Sequence, residues 1–163
     1  MAKAGDPIAR NLRSPALRAL HEAWLARRSP AGLPRLEDFA LDALPASGDL
    51  AVAEPVPGTE PVCLRLIRVG ANLDRRAGRS LLGERIGSRG EDITEDPIGG
   101  AIWAYRECLA SAAPRYEFAD FHFGRDRSLL FERLLLPTGI GGLAAHLLVA
   151  TLFSETAPEP DGG

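Results

Sequence analysis

Three sets of residues in this chain are of types that do chemistry. Asp120 and His122 stand two apart in an aromatic-rich stretch. On a strand they would share one face, and a carboxylate beside an imidazole can orient it for general acid–base work. Asp126 follows within Gly124-Arg-Asp-Arg127, a sequence that reads as a solvated hairpin tip. Arg65, Arg68 and Arg133 lie inside apolar-patterned segments, where a guanidinium could hold an anionic ligand through two parallel N–H bonds. Their plainer role is to pair with Glu84, Glu117 or Glu132, or to extend to water. The histidines His21, His122 and His146 offer no metal-binding pair: no two stand at ligand spacing on one element. His146, in an apolar run, is placed as a haem axial ligand could be, or as a core histidine with one satisfied nitrogen.

The remaining candidates are weaker. Gly139-Ile-Gly141-Gly-Leu-Ala144 matches a dinucleotide-binding G-x-G-x-x-A in letters. That motif needs a helix after the glycines and an acidic residue about 20 positions on, inside a βαβ unit. Only about a strand's length of chain and a tail follow, which favours a hairpin turn. Cys63 and Cys108 both lie in apolar-patterned segments and read as buried free thiols.

Composition bounds the function. The 163 residues are enough for one domain with its own core. A hydrophobic fraction of 45% and a charged fraction of 25% are ordinary for a globular protein. A net charge of −3 gives no broad attraction to nucleic acid or to anionic membrane. The first residues lack the apolar core of a secretory signal, and no apolar run reaches spanning length, so a cytoplasmic location is expected.

The elements that must position these residues follow from local signals. Residues 1–13 are expected to be a flexible N-terminus. Ser14-Pro15 opens a helix over 14–28, with Leu17, Leu20, His21, Trp24 and Leu25 on one stripe. Leu36 to Leu44 reads as a short helical segment, stopped by Pro45 and Gly48. Asp49 to Val56 and Pro61 to Val69 read as strands, the second with Arg65 and Arg68 out of phase. Asn72 to Ala77 and Ser80 to Ile86 read as short helical pieces between glycines. Asp96-Pro97 opens the main helix, with Ile98, Ile102, Tyr105 and Leu109 on its stripe and Trp103 beside it. Arg115 to Phe123, Ser128 to Leu136 and Leu143 to Phe153 read as an antiparallel meander, with Pro137 to Gly142 as its second turn. The single domain spans 14–154, and 155–163 is expected to be a disordered acidic tail.

This order of elements resembles the PAS domain, and more narrowly a family of stand-alone bacterial PAS proteins common in alphaproteobacteria. Trp24, Arg27 or Arg28, Leu33-Pro34 and Asp38 stand where that family has its opening motif. Gly70, Gly78, Leu81 or Leu82, and Gly83 match its glycine element, while Pro114 and Leu134-Leu-Leu-Pro137 match its later strands. One departure is Ile67, where the family more often carries an arginine. The resemblance covers roughly Leu17 to Phe153.

What it implies is an α+β fold: a five-stranded antiparallel sheet with short helices on one face and an extra N-terminal helix. It implies a non-enzymatic sensor or signalling module acting by small-ligand or protein-partner binding. Any pocket would draw on Arg65, Arg68, Ile102, Tyr105, Phe118, Phe121, Phe131, Arg133 and His146. The N-terminal helix of such proteins packs on the outer sheet face or across a dimer, which makes Leu17, Leu20 and Trp24, with Trp103, interface candidates. A homodimer and a signalling protein are the expected partners. No cofactor is evident; haem has a single histidine without a motif, and neither cysteine has the Asn-Cys-Arg context of a flavin light sensor. The alternative is a small enzyme on a cone-shaped α+β fold of the nuclear-transport-factor type, with Asp120 and His122 in its pocket. A first hairpin formed by Asp49–Val56 and Pro61–Val69 would exclude that fold.

Overall fold

The computed structural model describes residues 6–87, 102–123 and 127–156, and the side chains among these except at 120–123, 127–128 and 155–156. The helices are α1 (Pro7–Asn11), α2 (Pro15–Arg27), α3 (Ala71–Ala77) and α4 (Ile102–Ser111). The strands are β1 (Leu50–Pro55), β2 (Leu64–Val69), β3 (Arg85–Ile86), β4 (Arg115–Phe123), β5 (Arg127–Ile140) and β6 (Leu143–Thr156). They form one sheet in the order β3-β2-β1-β6-β5-β4, with every pairing antiparallel. The protein is therefore α+β. β1 and β2 pair as the first hairpin, ahead of α4, which is the arrangement expected to count against the nuclear-transport-factor alternative.

Both faces of the sheet are covered. On the face we call inner, Ala51, Ala53, Leu66, Leu135, Leu147 and Val149 pack against Leu73 of α3 and Ile102, Tyr105 and Cys108 of α4. On the outer face, Leu50, Val52, Leu134, Leu136, Leu148 and Ala150 pack against Leu12, Leu17, Leu20 and Trp24. Alternate residues thus point to opposite apolar layers, which is why Leu134-Leu-Leu136 and Leu147-Leu-Val-Ala150 read as unbroken apolar runs.

The sheet departs from expectation in four places. It has six strands: Ser80 to Ile86 is not helical but turns at Leu82-Gly83 and adds the two-residue β3. Leu36 to Leu44 is two single 3₁₀ turns, Leu36–Asp38 and Leu41–Ala43. Arg65 and Arg68 are not on opposite faces. Val52 pairs with Arg68 and Ala53 with Leu66, so Ile67 is a β-bulge, and the extra residue returns both arginines to the outer face. Finally, Pro137 does not end β5. β4 starts at Arg115 opposite Leu135, so from there on β5 has no β4 partner, and a residue without an N–H is tolerated.

The stretch after that point is fastened by the N-terminal segment. The Trp24 indole N–H donates to the Pro137 carbonyl at 2.8 Å. The Gly139 N–H donates to the Pro34 carbonyl at 2.9 Å, and the Leu33 N–H to the Gly141 carbonyl at 2.7 Å. Arg27 completes the unit, donating to the Asp38 and Ala23 carbonyls at 3.0 Å each. The chain reverses at Gly141, whose φ of 61° is left-handed, so the glycine motif is a hairpin turn. Gly70 is required for a different reason: a Cβ there would run into the Gly48 carbonyl.

The N-terminus also differs from expectation. From Asp6 onward it is folded, with the Asp6 carboxylate accepting from the Ile8 N–H at 3.0 Å and Leu12 only 2% exposed. Ser14 caps α2 as expected, and Leu17, Leu20 and Trp24 are fully buried against this chain's own sheet. Their apolar surface is covered within the chain, as in the outer-face packing that was one of the two expected arrangements. The expected helix start at Asp96-Pro97, Ile98, the tip at Gly124-Arg-Asp126 and the tail from 157 lie outside the described residues. Among the described residues, no helix is long and apolar enough to cross a membrane.

Candidate functional site

The register brings four polar side chains together under α4. Glu117 of β4, Arg133 of β5 and Thr151 of β6 are directly opposite one another across three neighbouring strands. Tyr105 of α4 packs over them, fully buried. Arg133 is 1% exposed in the middle of this row. Its guanidinium carbon lies 4.5 Å from the centre of the Phe131 ring and 5.3 Å from that of Tyr105. Phe131 in turn packs on Phe153 at a centroid distance of 5.6 Å.

The polar contacts of Arg133 are long. Nε donates to Thr151 Oγ1 at 3.4 Å, and Nη1 stands 3.5 Å from a Glu117 carboxylate oxygen. Nη2 is buried and has no hydrogen-bond partner among the described residues. Charge-assisted N–H···O⁻ bonds are ordinarily about 2.7–2.9 Å, so this cation is only partly compensated. Glu117 is pulled in two directions: Arg115 Nε is 4.0 Å away on its other side. Burial pushes the Glu117 carboxyl above its ordinary value, and the nearby Arg133 and Arg115 oppose that rise. An unpaired buried N–H costs on the order of 1–3 kcal/mol, so the arrangement is not one that stability alone favours.

The expected pocket residues divide between the two faces. Ile102, Tyr105, Phe131 and Arg133 are together on the inner side. Arg68 is not there: on the outer face it donates to the Leu50 carbonyl at 3.0 Å and to Asp42 at 2.7 Å, tying the 3₁₀ turns to the sheet. Arg65 is opposite Glu54 on β1, again on the outer face. His146 stands 3.7 Å from Glu54 on that face, away from the inner layer. Phe118 is also outer, with the Arg13 guanidinium 3.9 Å above its ring. The Phe121 side chain, with those of Asp120 and His122, is outside the described ones. Trp103 is 53% exposed and carries Arg115 over its ring at 4.4 Å.

Of the expected acidic partners, Glu117 does pair with Arg133. Glu84 binds Arg79, and Glu132 accepts from the Arg13 and Ser14 N–H groups and the Tyr116 hydroxyl. Thr151 and Phe153 belong to the site and escaped the sequence reading. A threonine inside the apolar run Leu143–Phe153 was the available signal, but only the strand register sets it beside Arg133.

The other features are structural. Burial pushes the Cys108 thiol up to about 12, and it donates to the Ala113 carbonyl, so it is an inert packing residue. A groove of about 400 Å³ lies beside α2, lined by Arg13, Ser14, Phe118, Leu130, Glu132 and Leu152. Among the described residues no group of His, Cys, Asp and Glu is placed to hold a metal ion. No protein-family model and no curated protein matches the chain.

Proposed function

We propose that the protein is a non-enzymatic, single-domain module of the PAS type that works by binding a small ligand at the inner face of its sheet. The observation that carries this reading is the half-compensated Arg133 guanidinium, buried between the sheet and α4. A fold that only needed stability would do as well with an apolar side chain of similar volume there. The helix-over-sheet layering, the first hairpin before α4 and the three-strand meander after it support the PAS assignment. Signalling would follow from a change in how α4 and the sheet pack when the ligand is present, passed to a protein partner in the cytoplasm.

Trp103 is the surface we assign to such a partner. It is the exposed aromatic on the helix that covers the site, one residue from the buried Ile102. The reading is tested by native mass spectrometry, with an absorbance spectrum, on protein purified gently from its host. A bound small-molecule mass is the expected result. A protein free of any added mass, which also captures no partner through Trp103, would overturn it.

A further inference from the structure

We infer that the ligand is a small monocarboxylate with an apolar body, held end-on by the Nε–Nη2 edge of Arg133. This rests on the binding reading above and names its chemistry. Nε and Nη2 are parallel donors on one edge of the guanidinium, matched in spacing to the two oxygens of a carboxylate. In this protein that edge is committed only to Thr151 at 3.4 Å, a neutral acceptor at the limit of a hydrogen bond, while Nη2 has none among the described residues. Arg68 provides an internal contrast, because its two terminal nitrogens reach Asp42 at 2.7 Å and the Leu50 carbonyl at 3.0 Å. On the outer face both terminal nitrogens of the arginine are engaged, whereas on the inner face Nη2 of Arg133 has no partner among the described residues.

The surroundings set the sign and the size of the charge. Arg133 carries a full positive charge in a poorly solvated layer, where an anion is bound more strongly than at the surface. Its partner Glu117 neutralises it incompletely from 3.5 Å while also facing Arg115 at 4.0 Å. Arg115 is itself held by Glu107 at 2.7 Å, so the cluster is already balanced in formal charge and a ligand should bring no more than one negative charge. A phosphate dianion would bring a second negative charge against Glu117, which already stands 3.5 Å from Arg133. Phe131 and Tyr105 flank the guanidinium, and Phe153 packs on Phe131 with the Arg76 guanidinium 3.9 Å over its own ring; these aromatic faces favour an alkyl or aryl carbon body over a polyol.

The experiment compares sodium acetate and sodium benzoate with sodium chloride at equal ionic strength, and with acetamide and benzamide as neutral isosteres. The wild-type melting temperature should rise with carboxylate concentration, by about 3–6 °C at tenfold excess over Kd, with benzoate effective at lower concentration than acetate. Chloride and the amides should give no such rise. In parallel, the Nε–H resonance of Arg133, assigned by its loss in Arg133→Lys, should move on acetate addition to the wild type. Glu117→Gln, which keeps Arg133 and removes the competing charge, should bind acetate about tenfold more tightly.

Equal responses to acetate, acetamide and chloride would overturn the proposal, as would a stationary Arg133 signal, the result expected if an ordered water satisfies Nη2. A neutral metabolite found by native mass spectrometry, alongside a silent carboxylate titration, would sink the carboxylate and leave the binding module standing. An empty protein with a silent titration that also captures no partner through Trp103 would sink both.

Discussion

The two faces of this sheet are built from the same strands and have opposite characters. On the outer face, among the described residues, each buried side-chain nitrogen and oxygen is also matched. The Trp24 indole N–H meets the Pro137 carbonyl, Arg68 has a carboxylate and main-chain carbonyls, and the Leu33-Pro34 segment closes the free edge of β5. On the inner face the central polar group, Arg133, has one donor without a partner among the described residues and two long contacts. The difference teaches where to look for function. A matched polar network is what a fold needs, whereas a buried donor without a partner calls for an explanation, for which we have proposed a ligand.

The largest effect should come from breaking the outer face. Trp24→Ala removes a fully buried indole and its hydrogen bond, and should cost about 3–5 kcal/mol in urea denaturation. Trp24→Phe keeps most of the volume but leaves the Pro137 carbonyl unpaired, and should cost about 1–3 kcal/mol. If either were neutral, the strap over β5 would not be holding the sheet.

The inner face should respond in the opposite sense. Replacing both members of the pair, Arg133→Met with Glu117→Leu, should leave stability unchanged or raise it by about 1–4 kcal/mol. Arg133→Ala alone should lose about 3–5 kcal/mol, because Glu117 is then left facing a cavity. A double variant much less stable than wild type would mean that the pair is structural after all, and the contrast between the faces would collapse.

Acid should also separate the faces. Burial lowers the pKa of His21, 1% exposed on α2, more than the nearby Asp6 and Glu22 raise it. The unfolded chain therefore takes up the proton first. His21 contributes stability that is complete above its ordinary value of 6.5 and is lost as the pH falls through the lowered folded value. Glu117 has the reverse sign: its folded value is raised, so its contribution is present below the ordinary 4.5 and is lost as the pH rises through the folded value. Unfolding curves measured against pH should lose the first dependence in His21→Phe and the second in Glu117→Gln. A His21→Phe protein with the wild-type slope near pH 6 would remove His21 from the account.

The smallest effect belongs to the surface. Trp103→Ser should change stability by about 0.5 kcal/mol or less, since the ring is 53% exposed, while reducing partner capture. Undiminished capture would move the partner surface elsewhere.

Sequence patterning exposed much of the fold and less of the site. The Ser14-Pro15 cap, the paired first strands and the span of β4 were readable because each rests on local signals: a cap, a turn dipeptide, a period of two. The bulge at Ile67 was not, since one extra residue leaves no mark until its partner strand fixes the register, and so Arg65 and Arg68 were assigned to different faces. Pro137 misled for a related reason. A proline usually ends a strand, and only the early stop of pairing with β4 lets it continue. The site needs three strands in register, and Glu117, Arg133 and Thr151 are too far apart in the chain for their meeting to be visible as a motif.

One measurement bears most directly on the contrast between the faces: the small-molecule mass carried by wild type, Trp24→Phe and Arg133→Met, each purified identically and weighed by native mass spectrometry. The account predicts the same added mass on wild type and on the less stable Trp24→Phe, and none on Arg133→Met. An added mass retained by Arg133→Met, or absent from all three, would contradict it.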